Sequence, residues 1–215
     1  HEHGKFEDAF TWFTKGAALG QAESIAELAD YYYHFYDAKE LRRVIPYDPV
    51  KAIGLYRRAA TKYFSDAGYA ALQAAFGYIF HIGHLPLDWG LIADLTHMAA
   101  TKERFMFSLP YIGYMRIHGL GVTKNIRFGV QSLTRVLEEE KRALEEEDRV
   151  LFYDITRALT RVALGFAYEK GYVTGKPDLD SAVAYYEESH QYILSHKANL
   201  DEELKDIPID DEAEE

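Results

Sequence analysis

Metal binding, acid–base catalysis and phosphate binding each need particular side chains at particular spacings, and this chain of 215 residues holds raw material for all three. It has nine histidines and 35 carboxylates. His81, His84 and His97 lie close together in sequence. A metal centre needs three or four converging ligands with carboxylates to orient them. His81-x-x-His84 spans the expected end of a helix and no further spacing completes a set, so these read as ordinary surface or core histidines. No metal and no cofactor is expected. The acidic runs Glu138–Asp148 and Asp201–Glu215 lack the alternating oxygen ligands and central glycine of a calcium loop, and read as solvated charge. Gly119-Leu-Gly121 is no phosphate loop: no strand precedes it and no Gly-Lys-Ser/Thr follows. Carboxylate pairs abound, but none falls in an identifiable pocket, and no nucleophile stands beside a base. The absence of cysteine removes thiol catalysis and disulfides. The chain reads as a non-enzyme.

What remains is aromatic: 17 tyrosines and 12 phenylalanines. The elements that position them are best seen at Tyr111–Asn125, Tyr-Ile-Gly-Tyr-Met-Arg-Ile-His-Gly-Leu-Gly-Val-Thr-Lys-Asn. It has the form of a helix end, a glycine turn and a helix start. Gly113 sits where a neighbouring helix would come close, Gly119 where positive φ ends a helix, and Asn125 where the next helix is capped. The same skeleton recurs. Gly165, Tyr168, Gly171, Asp178 and Ala182 repeat it; Gly77, Phe80, Gly83 and Asp88 do so with Ile92 in the small slot. Ala29, Tyr32, Asp48 and Ala52 repeat it around an insertion, and Arg116 takes the aromatic slot in the first copy. The following helices share Ala9, Trp12-Phe13 and Lys15-Gly16-Ala17; Ala52, Leu55-Tyr56 and Arg58-Ala59-Ala60; Ala182 and Tyr185-Tyr186. Such a period marks stacked helical hairpins, none of which buries its apolar face alone.

These residues resemble the Sel1-like repeats, relatives of the tetratricopeptide repeat. Their pattern is similar to Leu-Gly-x-x-Tyr-x-x-Gly-x-Gly-Val-x-x-Asp followed by Lys-Ala-x-x-Trp-Tyr-x-Lys-Ala-Ala. The match is close at Gly113–Asn125, Leu164–Gly171 and Lys51–Ala60, and it extends unevenly over residues 6–196. The resemblance implies an all-α, right-handed solenoid of about four to five hairpins with insertions. It also implies that the first helix of each hairpin lines a concave surface.

In order along the chain, residues 6–18 are expected as a second-type helix without its partner, so that the native chain extends N-terminally and the open end could self-associate. Helices are expected over 22–35, from Asp48-Pro49 to about Lys62, 67–82 behind Ser65-Asp66, 89–102 and 105–118, with an insertion at 37–47. Pro110 is expected in a first turn or at a kink. Two long helices, 126–143 and 149–170, would project as an acidic spur, and 179–196 would close the array. Residues 1–200 thus form one solenoid. Asp201–Glu215, with nine carboxylates against one lysine, would be a disordered tail.

The net charge of −11 and the lack of a basic stripe argue against nucleic acid. No apolar run reaches spanning length, so no direct membrane contact is expected, and the missing cysteines favour the cytoplasm. The expected partner is another protein, a peptide or helix held on the concave face. Two columns define that face, the residue after each small anchor and the one three further on. They contain Asp30, Tyr78, Tyr114 and Phe166, and Tyr33, His81, Ile117 and Glu169. Tyr33, Tyr78, His81, Tyr114, Phe166 and Glu169 are the expected contacts, set against the alternative that they fill seams between hairpins. The chain reads as a scaffold or adaptor. A second reading makes it the C-terminal regulatory or substrate-docking region of a larger enzyme.

Overall fold

A computed structural model describes residues 3–33, 45–102, 105–145 and 154–205. Among these residues there are nine α-helices and no strand. They are α1 (His3–Ala18), α2 (Ala22–Tyr33), α3 (Pro49–Ala60), α4 (Ala67–Ile79), α5 (Trp89–Ala100), α6 (Phe105–His118), α7 (Ile126–Glu145), α8 (Asp154–Glu169) and α9 (Leu179–Lys205). A short 3-10 turn, Ile82–His84, lies between α4 and α5. The architecture is that of an all-α solenoid, in which α2, α4, α6 and α8 are first helices and α1, α3, α5, α7 and α9 are second helices. The chain forms two compact units, residues 1–124 and 125–215.

Local chemistry accounts for most of the boundaries. The Asp48 carboxylate accepts from the Lys51 N–H at 2.9 Å with Pro49 in the first turn, and Asp88 accepts from Leu91 N–H at 3.0 Å. Asn125 accepts from Phe128 N–H at 3.0 Å, and Asp178 from Ser181 N–H at 3.1 Å. Each such cap contributes about 1 kcal/mol. Asp66 is the exception. Its ψ of 22° leaves the extended range, and its carboxylate caps nothing. At the far ends Gly20, Gly119 and Gly171 take φ of 81°, 77° and 71°, and the amides after them fold back onto the last turns. The hairpin closure also repeats: Asp48 N–H donates to the Tyr32 carbonyl at 3.0 Å, and Asp178 N–H to the Tyr168 carbonyl at 3.1 Å.

Several expectations are corrected. Helix α4 stops at Ile79, not 82, because His81, Gly83 and His84 all take left-handed φ (51°, 59° and 64°). Such a conformation costs a residue with a Cβ roughly 1–2 kcal/mol, so the turn is held by its surroundings. Pro110 is buried at the sixth position of α6, past the first turn. Helix α9 runs through Lys205, so 201–205 are helical, while 206–215 lie outside the described residues. Of the insertion expected at 37–47, residues 37–44 lie outside them, as do 34–36 and the spur tip at 146–153. Within the described part of the spur, Glu140 is not solvated: it is 3% exposed and paired with Arg161 of α8.

Packing in the first unit centres on Ile25, Ile53, Tyr56, Ile92, Met115 and Ile117, all nearly inaccessible to solvent. A Cβ on Gly77 would overlap the Ile53 side chain, so α4 approaches α3 at a distance only glycine permits. In the second unit Leu133, Val136 and Leu164 are buried. A Cβ on Gly165 would lie 2.7 Å from the Tyr186 ring, which makes Gly165 a helix–helix contact position. Gly113 is buried as well.

Candidate functional site

The turn after α6 is built from its glycines upward. Gly121 has φ of 64°, and a Cβ there would overlap the Trp89 carbonyl at the start of α5. Arg116 donates from Nη1 to the Thr123 carbonyl at 2.9 Å, bracing the turn from its aromatic-slot position. Between α5, α6 and this turn lies a cleft of about 220 Å³, with Asp94, His97, Ile112, Met115, Arg116 and Val122 in its walls. Its one lining hydroxyl, on Thr96, donates to the carbonyls of Ile92 or Ala93 at 2.8 and 3.1 Å. That tie to its own helix leaves it poorly placed as a nucleophile. Among the described residues no three histidine, aspartate or glutamate side chains gather as a metal set.

The six expected contact residues are placed as follows, each within its own unit. In the first unit Tyr33 is half-buried, its ring 6.3 Å from that of Tyr47, and burial followed by Tyr47 raises its hydroxyl pKa. Tyr78 is buried, and its hydroxyl accepts from Arg57 Nη1 at 2.9 Å. His81 is exposed, with Nδ1 3.0 Å from the Leu85 carbonyl. Tyr114 is half-buried, its ring 4.4 Å from that of His118, whose pKa is lowered first by burial and then by Lys124. In the second unit Phe166 is half-buried, 6.1 Å from the Tyr172 ring, with Lys170 Nζ 5.5 Å from its ring centre. Glu169 accepts from Lys170 Nζ at 2.5 Å and from the Tyr186 hydroxyl at 3.0 Å, and these bonds hold its carboxyl below the usual range.

The two columns therefore do not share one exposure. Asp30, Tyr78 and Ile117 are buried in seams, whereas Tyr33, Tyr114, Phe166 and Glu169 keep an open edge. Asp30 accepts from the hydroxyls of both Tyr56 and Tyr69. The open face of α4 lies elsewhere. Tyr69, Gln73 and Phe76 are half-buried and Phe80 is 46% exposed, with Phe76 5.2 Å from Tyr111 and 6.0 Å from Phe80. Their spacing of four, three and four residues is one stripe of a helix, and that periodicity was the signal available in the sequence.

Family comparison bears on the same helices. The model of the Sel1 repeat matches residues 5–21, 22–63, 111–131 and 156–189, more than half of the chain. The chain belongs to the Sel1 repeat family. The Sel1 match omits residues 64–110, where α4 and α5 nevertheless form a hairpin; this is the copy with a histidine-rich turn and Ile92 in the small slot. Sel1 repeats are in general protein–protein interaction modules. A solved Sel1 repeat protein from Oxalobacter formigenes is similar over 86% of this chain and 65% of its own, at 21% identity and a TM-score of 0.55. The chain thus spans less than two thirds of that relative. A protective antigen present in uropathogenic Escherichia coli strains, displaying an SLR fold, aligns over 86% of this chain and 41% of its own, at 16% identity and a TM-score of 0.45. No curated protein matches. Among the described residues no helix is long and apolar enough to cross a membrane.

Proposed function

We propose that this Sel1 array is a non-catalytic scaffold or adaptor that holds a peptide or helix of another protein against the open faces of its first helices. The observation that supports it is the set of half-exposed aromatics on those helices, Phe76 and Phe80 on and just beyond α4, Tyr114 on α6 and Phe166 on α8. Each is packed on one side by a ring neighbour, so its rotamer is held before binding, and each keeps apolar area for a partner to cover. Pre-ordered aromatics of this kind supply most hot-spot energy in protein interfaces. Each unit carries such aromatics of its own, Phe76, Phe80 and Tyr114 in residues 1–124 and Phe166 in 125–215. Of the residues expected from sequence, Tyr33, Tyr114, Phe166 and Glu169 stay in the proposed contact set, His81 sits at its edge, and Tyr78 belongs to the seam with α3.

Affinity capture with the intact chain, followed by mass spectrometry, identifies the partner and sets the baseline. Alanine at Phe76, Tyr114 and Phe166 then removes capture, each anchor costing about 2 kcal/mol or more where it is a hot spot. Alanine at Tyr78 lowers the melting temperature instead. Capture unchanged by the three open-face substitutions, with folding intact, would sink the proposal.

A further inference from the structure

Helices α3 and α5 each turn a flank to the helix that follows, and its register is read from the residue after the small anchor. In α3 that residue is Ile53, 2% exposed, over which α4 passes with Gly77. In α5 it is Ala93, also buried, followed three residues on by the fully buried Thr96. In α9 the same register gives Val183, and Val183 is 53% exposed. Leu179, Ile193 and Leu194 are exposed beside it. With Val183 they recur at helical spacing and make one apolar stripe about 20 Å long at 1.5 Å per residue. The adjoining side of α9 packs on α8: Ala182 and Ser189 are buried, a Cβ on Gly165 would lie 2.7 Å from the Tyr186 ring, and Ser189 donates to the Ala158 carbonyl at 3.0 Å. The stripe stands in the register of Ile53 and Ala93, and among the described residues it is exposed.

Charge sets what suits it. Residues 1–124 hold thirteen basic and thirteen acidic side chains, whereas 125–215 hold eleven and twenty-two, so the whole net charge of −11 belongs to the second unit. Helix α9 alone carries six acidic residues against two basic. We propose that the Leu179–Val183–Leu194 flank of α9 docks a basic amphipathic helix of a partner protein, seated as α4 is seated on α3. The partner helix presents glycine to Val183, since the α3–α4 contact leaves no room for a Cβ opposite Ile53, and lysine or arginine along its edges. A second copy of this flank would bring acid to acid. Residues 206–215, with six acidic side chains and no basic one, have the wrong sign too.

The probe is a dye-labelled synthetic helix that repeats the apolar face of α4 and carries lysine and arginine at its other positions, titrated into the intact chain by fluorescence anisotropy. Saturable binding is expected, weakening roughly tenfold when salt is raised from low to several hundred millimolar, because exposed charge contacts are screened. Val183→Glu and Leu194→Glu each weaken it at least about tenfold with little change in the melting temperature, both residues being about half exposed. The added carboxylate would strengthen a purely electrostatic attachment, so loss of binding isolates the apolar seat. Leucine in place of the central glycine of the probe also abolishes binding. Three results would overturn the proposal: no saturable binding, binding that survives Val183→Glu, or a dimer in sedimentation that Val183→Glu converts to monomer. The last would assign the flank to a second copy.

Discussion

Arg161 faces Glu140 with both terminal nitrogens, Nη1 3.0 Å from Oε2 and Nη2 3.2 Å from Oε1, and both side chains are nearly buried. The remaining guanidinium nitrogen, Nε, reaches Glu188 at 2.8 Å, and the Tyr192 ring lies 4.5 Å from the guanidinium carbon. Arg157 Nε adds a second cation 3.2 Å from Glu140. Burial alone would lower the Arg161 pKa; the bonds to Glu140 and Glu188 outweigh it and hold the group above its usual value. One glutamate thus joins α7 to α8, and Arg161 passes the link on to α9.

Glu140→Gln leaves Arg161 buried without its full counter-charge. Loss of one partner of a buried pair costs roughly 3–5 kcal/mol, against about 0.5 kcal/mol for a solvated residue of the same run such as Glu138. Urea unfolding followed by circular dichroism separates the two. Replacing Glu140 and Arg161 together by methionine restores most of the loss.

Three glycines should rank in a fixed order. Gly121→Ala meets both the left-handed φ and the Trp89 carbonyl, and costs at least about 2 kcal/mol. Gly165→Ala must displace the Tyr186 ring, at about 1–3 kcal/mol. Gly54 sits in α3 with open space around it, so Gly54→Ala raises stability by roughly 0.5–1 kcal/mol. Melting temperatures in any other order would contradict the packing described.

Alkali should unfold the chain more steeply than acid. Burial raises the hydroxyl pKa of Tyr56, Tyr69 and Tyr111, and burial with the Glu169 bond pushes Tyr186 up to about 12. A raised folded pKa means stability that is complete below the ordinary tyrosine value of 10.0 and lost as pH climbs through the folded value. Asp178, lowered chiefly by the Ser181 N–H, and Glu169, lowered by Lys170 and Tyr186, act in the opposite sense. Their contribution is present above the ordinary values of 3.8 and 4.5 and lost below them. Both are only partly covered, so the acid limb is shallow. Ultraviolet titration should show a set of tyrosines ionising together with loss of helicity; tyrosines that all titrate normally in folded protein would contradict the burial.

Asp30 anchors the seam between the first two hairpins, where the hydroxyls of Tyr56 and Tyr69 both donate to it. Asp30→Ala removes the acceptor of the buried Tyr56 hydroxyl and one partner of Tyr69, costing about 1–3 kcal/mol. Asp30→Asn keeps an acceptor and costs less. Equal melting temperatures for the two variants would remove Asp30 from the core.

The hairpin period was legible in the sequence because its marks are local. Asp48 before Pro49, Asn125 and Asp178 as caps, and Gly20, Gly119 and Gly171 as helix ends act within five residues of their partners, so chain order displays them. Gly165 was legible for a related reason, since it recurs at the position of Gly113 in the repeated skeleton, and its contact with the Tyr186 ring bears that out. The fate of each face was not legible. Phe76 and Tyr78 lie two residues apart on α4, about 200° around the helix at 3.6 residues per turn, and only the arrival of α3 with Arg57 determines which is covered. Glu138 and Glu140 belong to one acidic run, yet only Glu140 meets Arg161, 21 residues further along the chain. Helical periodicity states which residues share a side; the neighbour packed there decides whether it becomes core, ion pair or open surface, and that neighbour is set by tertiary structure alone.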